Sequence, residues 1–163
     1  MEKKQNLSEY NPSDIPKVMH RKIAIVTAEW NFDITGAMQS ACIDTLLKHG
    51  LTKEDILSFY VAGSYELPFA AKHAILKYKA DAVICLGCII QGETRHFDFI
   101  AQACANGIMQ VGLECNVPVI FGVLTTNNIQ QAIDRAGGKH GNKGVEAAIT
   151  CLKLMDLLKN EEI

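Results

Sequence analysis

A long apolar run is the first thing this chain lacks. Its most apolar stretch, Ala82–Ile90 (AVICLGCII), is about half of the roughly 20 residues a membrane-spanning helix requires, so a transmembrane segment is not expected. The opening residues MEKKQNLSEYNPSDIP mix charges, Asn and Pro and lack the apolar centre of a secretory signal, which leads us to expect a cytoplasmic protein. Charge of one sign is also missing: 16 Lys and Arg against 18 Asp and Glu give a formal charge of −2 and a pI near 6.2. That balance argues against nucleic acid or an anionic membrane as partner and favours small molecules. The six cysteines, Cys42, Cys85, Cys88, Cys104, Cys115 and Cys151, lack regular spacing and sit in apolar segments, as reduced, buried thiols do. Cys85 and Cys88 form a C-x-x-C, but no second pair follows at zinc-site spacing, and in a strand positions three apart face opposite sides. No metal site is expected.

What the chain does have suffices for one core. Its 163 residues are 48% apolar and 21% charged, within the size and composition of a single globular domain. We place that domain at residues 21–163, after a polar tail of residues 1–20 that is a candidate to pair with a neighbour's sheet. Short, nearly continuous apolar runs at residues 23–27, 56–61, 82–90 and 119–124 read as buried parallel strands. Helical patterns separate them: residues 34–49 closed by Gly50, a helix with Pro68 near its start, and Phe97, Ile100, Ala101, Cys104, Ile108, Val111 and Cys115 at helical spacing. A short helix over 129–136 and a longer one over 142–158 complete the pattern, with Gly137, Gly138, Gly141 and Gly144 expected to break or bend the chain around them. Alternating strands and helices imply right-handed crossovers and an α/β fold, a flavodoxin-like three-layer α/β/α sandwich with a four-stranded parallel sheet core. Its exposed sheet edges make self-association plausible.

In such sheets ligands bind beyond the carboxyl ends of the strands. Four loops are selected: Glu29-Trp30-Asn31, Gly63-Ser64-Tyr65-Glu66, residues 91–96, and Thr125-Thr126-Asn127. Trp30, the only tryptophan, either stacks on a flat heterocycle or covers the rim of the core. Ser64 and Glu66 suit a polyhydroxy ligand and equally suit a helix cap. Gly92-Glu93-Thr94 is expected to open the third long helix, whose free amides favour phosphate. His96 is in reach of the same pocket with a side chain that shuttles protons near neutrality. His20, His49, His73 and His140 read as structural, His49 because a helix C-terminus favours it. Arg135, Lys139 and Lys143, four residues apart, would receive a phosphate near a site and mean little on a solvated face.

Together AEWN, GSYELP, GCIIQGETRHFDFI and FGVLTTNNIQQAIDRAGGKHGNKGVEAA resemble the lumazine synthase family over nearly the whole chain after residue 20, in family order and spacing. The resemblance implies condensation of 5-amino-6-(D-ribitylamino)uracil with 3,4-dihydroxy-2-butanone 4-phosphate to 6,7-dimethyl-8-ribityllumazine, phosphate and water, with no metal or organic cofactor. It implies that Trp30 and the adjacent Asn31 meet the pyrimidine and that Ser64, Tyr65 and Glu66 hold the substrate, with Glu66 on the ribityl hydroxyls. Cys88, Ile89 and Ile90 would give mainly backbone contacts, Glu93 and Thr94 would line the butanone-phosphate subsite, and His96 would transfer protons. Phe121 and Arg135 would reach a neighbour's pocket, Arg135 to bind phosphate with Lys143 nearby. It further implies a pentamer, a sixty-subunit shell given the uninterrupted GGKHGN link, and riboflavin synthase as a candidate partner. Gln91 and Glu29 stand where many relatives carry basic residues, which removes positive charge from the mouth of the site. The rival readings are a non-catalytic flavin or lumazine carrier on the same fold, a nucleotide-binding module and a structural shell protein. The pairing of His96 with Arg135 weighs against the first. The absence of a G-x-G-x-x-G or Walker loop after the first strand weighs against the second.

Overall fold

The computed structural model describes residues 6–159. Four parallel strands, β1 (Ile23–Ala28), β2 (Ile56–Val61), β3 (Ala82–Ile90) and β4 (Val119–Thr126), lie in the order β2-β1-β3-β4. The α/β expectation holds, with helices on both faces of the sheet. The two central strands explain themselves: β1 is buried at all six positions and β3 at its first seven, and a strand covered on both faces reads as a nearly continuous apolar run, which in β1 only the buried Thr27 interrupts.

Alternation along the strands then deals side chains to two separate cores. Ile23, Ile25, Ile84, Leu86 and Cys88 pack with α1 (Phe32–Lys48) and α5 (Lys143–Lys159). Ala24, Val26, Val83 and Cys85 pack with α2 (Leu67–Tyr78) and α3 (His96–Cys115). Cys85 and Cys88 thus face opposite layers, as their spacing requires. Burial pushes the Cys85 thiol up, with nearby Cys104 adding to it, and pushes the Cys88 thiol up to about 11. Among the described residues no group of three or more His, Cys, Asp or Glu could hold a metal ion, and no helix is long and apolar enough to cross a membrane. On the first face α1 and α5 approach closely, since a Cβ on Gly144 would collide with the backbone of Met38.

Several boundaries move for local reasons. Strand β4 runs on to Thr126, whose carbonyl accepts from the Gln91 amide at 2.8 Å. The glycine-rich segment folds into a small antiparallel hairpin, β5 (Ala136–Gly138) with β6 (Gly141–Asn142), between α4 (Ile129–Arg135) and α5. Gly137 and Gly141 take φ of 116° and 87° there, a region in which a side chain is strained. The described part of the N-terminal tail lies against this hairpin: the Leu7 amide donates to the His140 carbonyl at 3.1 Å and the Asn142 amide to Ser8 Oγ at 3.1 Å. Farther along, Ile15 and Val18 are buried in the first core. Apolar contributions therefore begin before residue 21. Residues 1–5 of the expected tail lie outside the described residues.

Candidate functional site

Strand order places a reversal between β1 and β3, because the chain leaves β1 toward β2 and returns to β3 on the other side. Ligand crevices form at such switch points, at the carboxyl ends of the strands. A pocket of about 200 Å³ lies there, lined by Trp30, Asn31, Ser64, Tyr65, Cys88, Ile89, Ile90, His96 and Ile100. Three of the four loops selected from sequence therefore converge.

Each wall has a local cause. After β1 the chain turns sharply at Asn31, which takes the left-handed conformation (φ 59°, ψ 45°) that Asn tolerates better than most residues. Its side-chain Nδ2 donates to the Cys88 carbonyl at 3.1 Å, tying the end of β1 to the end of β3. Trp30 is held one residue earlier, its amide donating to the Ala62 carbonyl at 3.0 Å, while its indole is 66% exposed. After β2, residues Ser64–Glu66 form a single 3-10 turn leading into α2. Glu66 Oε2 accepts from the Gly63 amide at 3.0 Å, so the carboxylate performs the capping role that sequence left open beside the ligand role. Ser64 is buried and leans over β3, where a Cβ on Gly87 would overlap its hydroxyl. Pro68 occupies the first turn of α2, where its missing N–H costs nothing.

The third loop differs from expectation. Helix α3 begins at His96 rather than at Gly92-Glu93-Thr94, and Thr94 Oγ1 accepts from the His96 amide at 3.4 Å. A threonine hydroxyl competes for backbone groups and so favours the cap over the helix interior. The amides at this helix start are thus engaged locally, His96 by Thr94 Oγ1 and Asp98 by the Arg95 carbonyl at 3.1 Å. Glu93 and Thr94 are exposed in the preceding loop, outside the pocket lining. His96, also exposed, lines it, and Ile100 lines it one helical turn later. Ile100 read from sequence only as part of the helical pattern; its spacing of four from His96 was the signal that it shares the same face.

The remaining residues lie elsewhere on the same chain. Phe121 sits in β4 opposite Cys85, well below the strand ends, and is 37% exposed. It lines a separate apolar groove of about 370 Å³ with Met109, Leu113, Leu154 and Leu157. Arg135 ends α4, where Nη1 donates to the His140 carbonyl at 2.8 Å and Nη2 to Glu146 Oε2 at 3.0 Å. Nη1 also lies 2.7 Å from Glu146 Oε1. That approach is an ion contact and not an aligned hydrogen bond, for Oε1 is buried without a hydrogen-bonded donor. Lys143 Nζ meets Glu146 Oε2 at 3.2 Å. Burial acts to raise the Glu146 carboxyl, but the Arg135 hydrogen bond and the charges of Lys143 and Arg135 outweigh it and hold it below its ordinary value. Lys139 pairs with Asp134 at 3.3 Å instead. Arg135 and Lys143 thus share one carboxylate. Sequence reasoning did not single out Glu146, although its place three residues after Lys143, on the same helix face, was the available signal.

A model of the 6,7-dimethyl-8-ribityllumazine synthase family matches residues 20–159. The chain belongs to that family. Proteins carrying the same name are similar over almost their whole length. The Cytophaga hutchinsonii protein is 55% identical over 151 residues, 93% of this chain and 94% of its own. Those of Porphyromonas gingivalis and Phocaeicola vulgatus are 47% and 46% identical, covering 93% of this chain and 94% and 90% of theirs. The family match begins where the strands begin and takes in both the pocket and the Arg135, Lys143 and Glu146 cluster.

Proposed function

We propose that the pocket beneath Trp30 is where this enzyme of riboflavin biosynthesis joins its two substrates, and that the site is completed by a second subunit. The chain is a lumazine synthase: it forms 6,7-dimethyl-8-ribityllumazine from 5-amino-6-(D-ribitylamino)uracil and 3,4-dihydroxy-2-butanone 4-phosphate. The observation that carries the site assignment is the convergence of the only tryptophan, the last three residues of β3 and His96 around one pocket. An indole on one wall suits a flat pyrimidine, and the strand end offers backbone groups for its polar edge. Ser64, Tyr65 and Glu66 then face the ribityl chain, and Glu93 and Thr94 face the butanone phosphate.

Imine formation, loss of phosphate and ring closure each move a proton near neutral pH, and His96 is the group on the pocket wall suited to shuttle it. Phosphate departure needs a fixed cation. Arg135 supplies it with Lys143 beside it, from the neighbouring subunit, because neither residue lines the pocket of its own chain. Phe121 belongs to the same contribution: it projects from the apolar groove on the α3, β4 and α5 side, a surface suited to a second copy. Holding two substrates together supplies much of the remaining acceleration, which in favourable cases reaches roughly 7 to 11 kcal/mol. The assembly we favour is a pentamer closing into a sixty-subunit shell in the cytoplasm, with riboflavin synthase as a partner for the product.

Mixing the purified protein with both substrates tests the reading: lumazine absorbance and fluorescence should appear without added metal or cofactor. A folded, full-length preparation that binds the product yet makes none at saturating substrate would refute it and favour the carrier.

A further inference from the structure

Trp30 needs something to hold it. An indole 66% exposed at the rim of a pocket is free to swing about two side-chain torsions unless a surface fixes it. Its backbone is fixed, since the Glu29 and Trp30 amides donate to the Val61 and Ala62 carbonyls at 2.8 and 3.0 Å, stitching the end of β1 to the segment that enters Gly63. Its side chain then lies against Gly63. A Cβ placed on Gly63 would stand 2.6 Å from Trp30 Cε3 and 2.7 Å from Cζ3, nearer than carbon atoms pack.

Torsion does not require this glycine. Gly63 has φ −138° and ψ −179°, extended backbone open to any residue. Its amide already has a partner in Glu66 Oε2, and that carboxylate would be 3.2 Å from the added Cβ, a tight contact that a flexible side chain can relieve. The rigid ring can relieve its closer contact only by turning away from the glycine as a whole. We infer that Gly63 is a positioning residue: its bare Cα is the seat that fixes the Trp30 indole over the pocket, and so sets affinity for the planar heterocycle. This rests on the pocket being the pyrimidine site.

Four full-length proteins test it: wild type, Gly63→Ala, Trp30→Ala and the double variant. Because Trp30 is the sole tryptophan, emission and acrylamide quenching report the indole directly, without substrate. Gly63→Ala should change both. Stacking of this kind is worth about 0.5 to 1.5 kcal/mol, so KM for the ribitylaminouracil should rise about 2-fold to 12-fold. Loss of ground-state and transition-state binding together leaves kcat within about 2-fold. With Trp30→Ala already present, Gly63→Ala should add nothing to KM. Unchanged emission with unchanged KM would overturn the inference, as would an equal rise in KM in both backgrounds, which would trace the effect to the Glu66 cap. If Gly63→Ala fails to fold, the double variant decides: folding like Trp30→Ala supports the seat, and failure there overturns it. Absence of lumazine formation by wild type would refute the pyrimidine-site reading, while the emission data would still decide whether Gly63 seats Trp30.

Discussion

Glu146→Gln is the sharpest test of the electrostatics on the far side of the molecule. The substitution keeps the shape of the side chain and removes its charge, leaving Arg135 and Lys143 without the carboxylate they share at 2.7 to 3.2 Å. The cluster is sheltered, with Arg135 and Glu146 side chains 18% and 20% exposed, so water only partly replaces the lost interaction. Arg135 keeps its bond to the His140 carbonyl, which limits the damage. A hydrogen bond to a charged partner contributes about 1.5 to 3 kcal/mol, and about 2 kcal/mol is a fair figure here. For a chain of 163 residues that corresponds to a fall in Tm of about 4 to 8 °C. The effect should depend on pH with a definite sign. The carboxyl is held below its ordinary value in the folded state, so its contribution is complete above the unfolded value of about 4.3 and is lost as pH falls through the lower folded value. Thermal melts of wild type and variant at equal protein concentration, from neutral pH down to about pH 3, should therefore diverge at the top and converge at the bottom. A difference under about 1 °C at neutral pH, or one that stays constant down the series, would refute the reasoning.

Two further outcomes concern catalysis. His96→Ala should leave the fold intact, because the side chain is exposed at the first position of α3, and should lower the rate about 10-fold to 1000-fold; an unchanged rate at every pH would remove His96 from the mechanism. Mixed assemblies of His96→Ala and Arg135→Ala subunits, confirmed by mass, should regain activity, since random equal mixing gives about a quarter of the shared sites both intact residues. Activity no higher than the average of the two variants would place each site within one subunit.

The strands and the site loops were legible in the sequence because their causes are local. A strand buried on both faces is a nearly continuous apolar run, so residues 23–27 and 82–90 announced themselves, and the strand-end rule then selected the loops holding Trp30, Ser64 and His96. Where α3 begins was less legible: a Thr just before the helix, whose hydroxyl accepts from the amide two residues on, looks in sequence the same as one inside the first turn. The glycine-rich stretch read as a break, yet Gly137 and Gly141 let it close as a hairpin against the N-terminal tail, a contact between segments more than a hundred residues apart. Two things belonged to the tertiary structure alone. One is that Arg135 and Lys143 converge on Glu146 and lie away from the pocket of their own chain. The other is that Gly63 is a glycine because an indole from another loop rests on it. Both are contacts between elements, and no spacing rule along one element can reveal what another element brings against it.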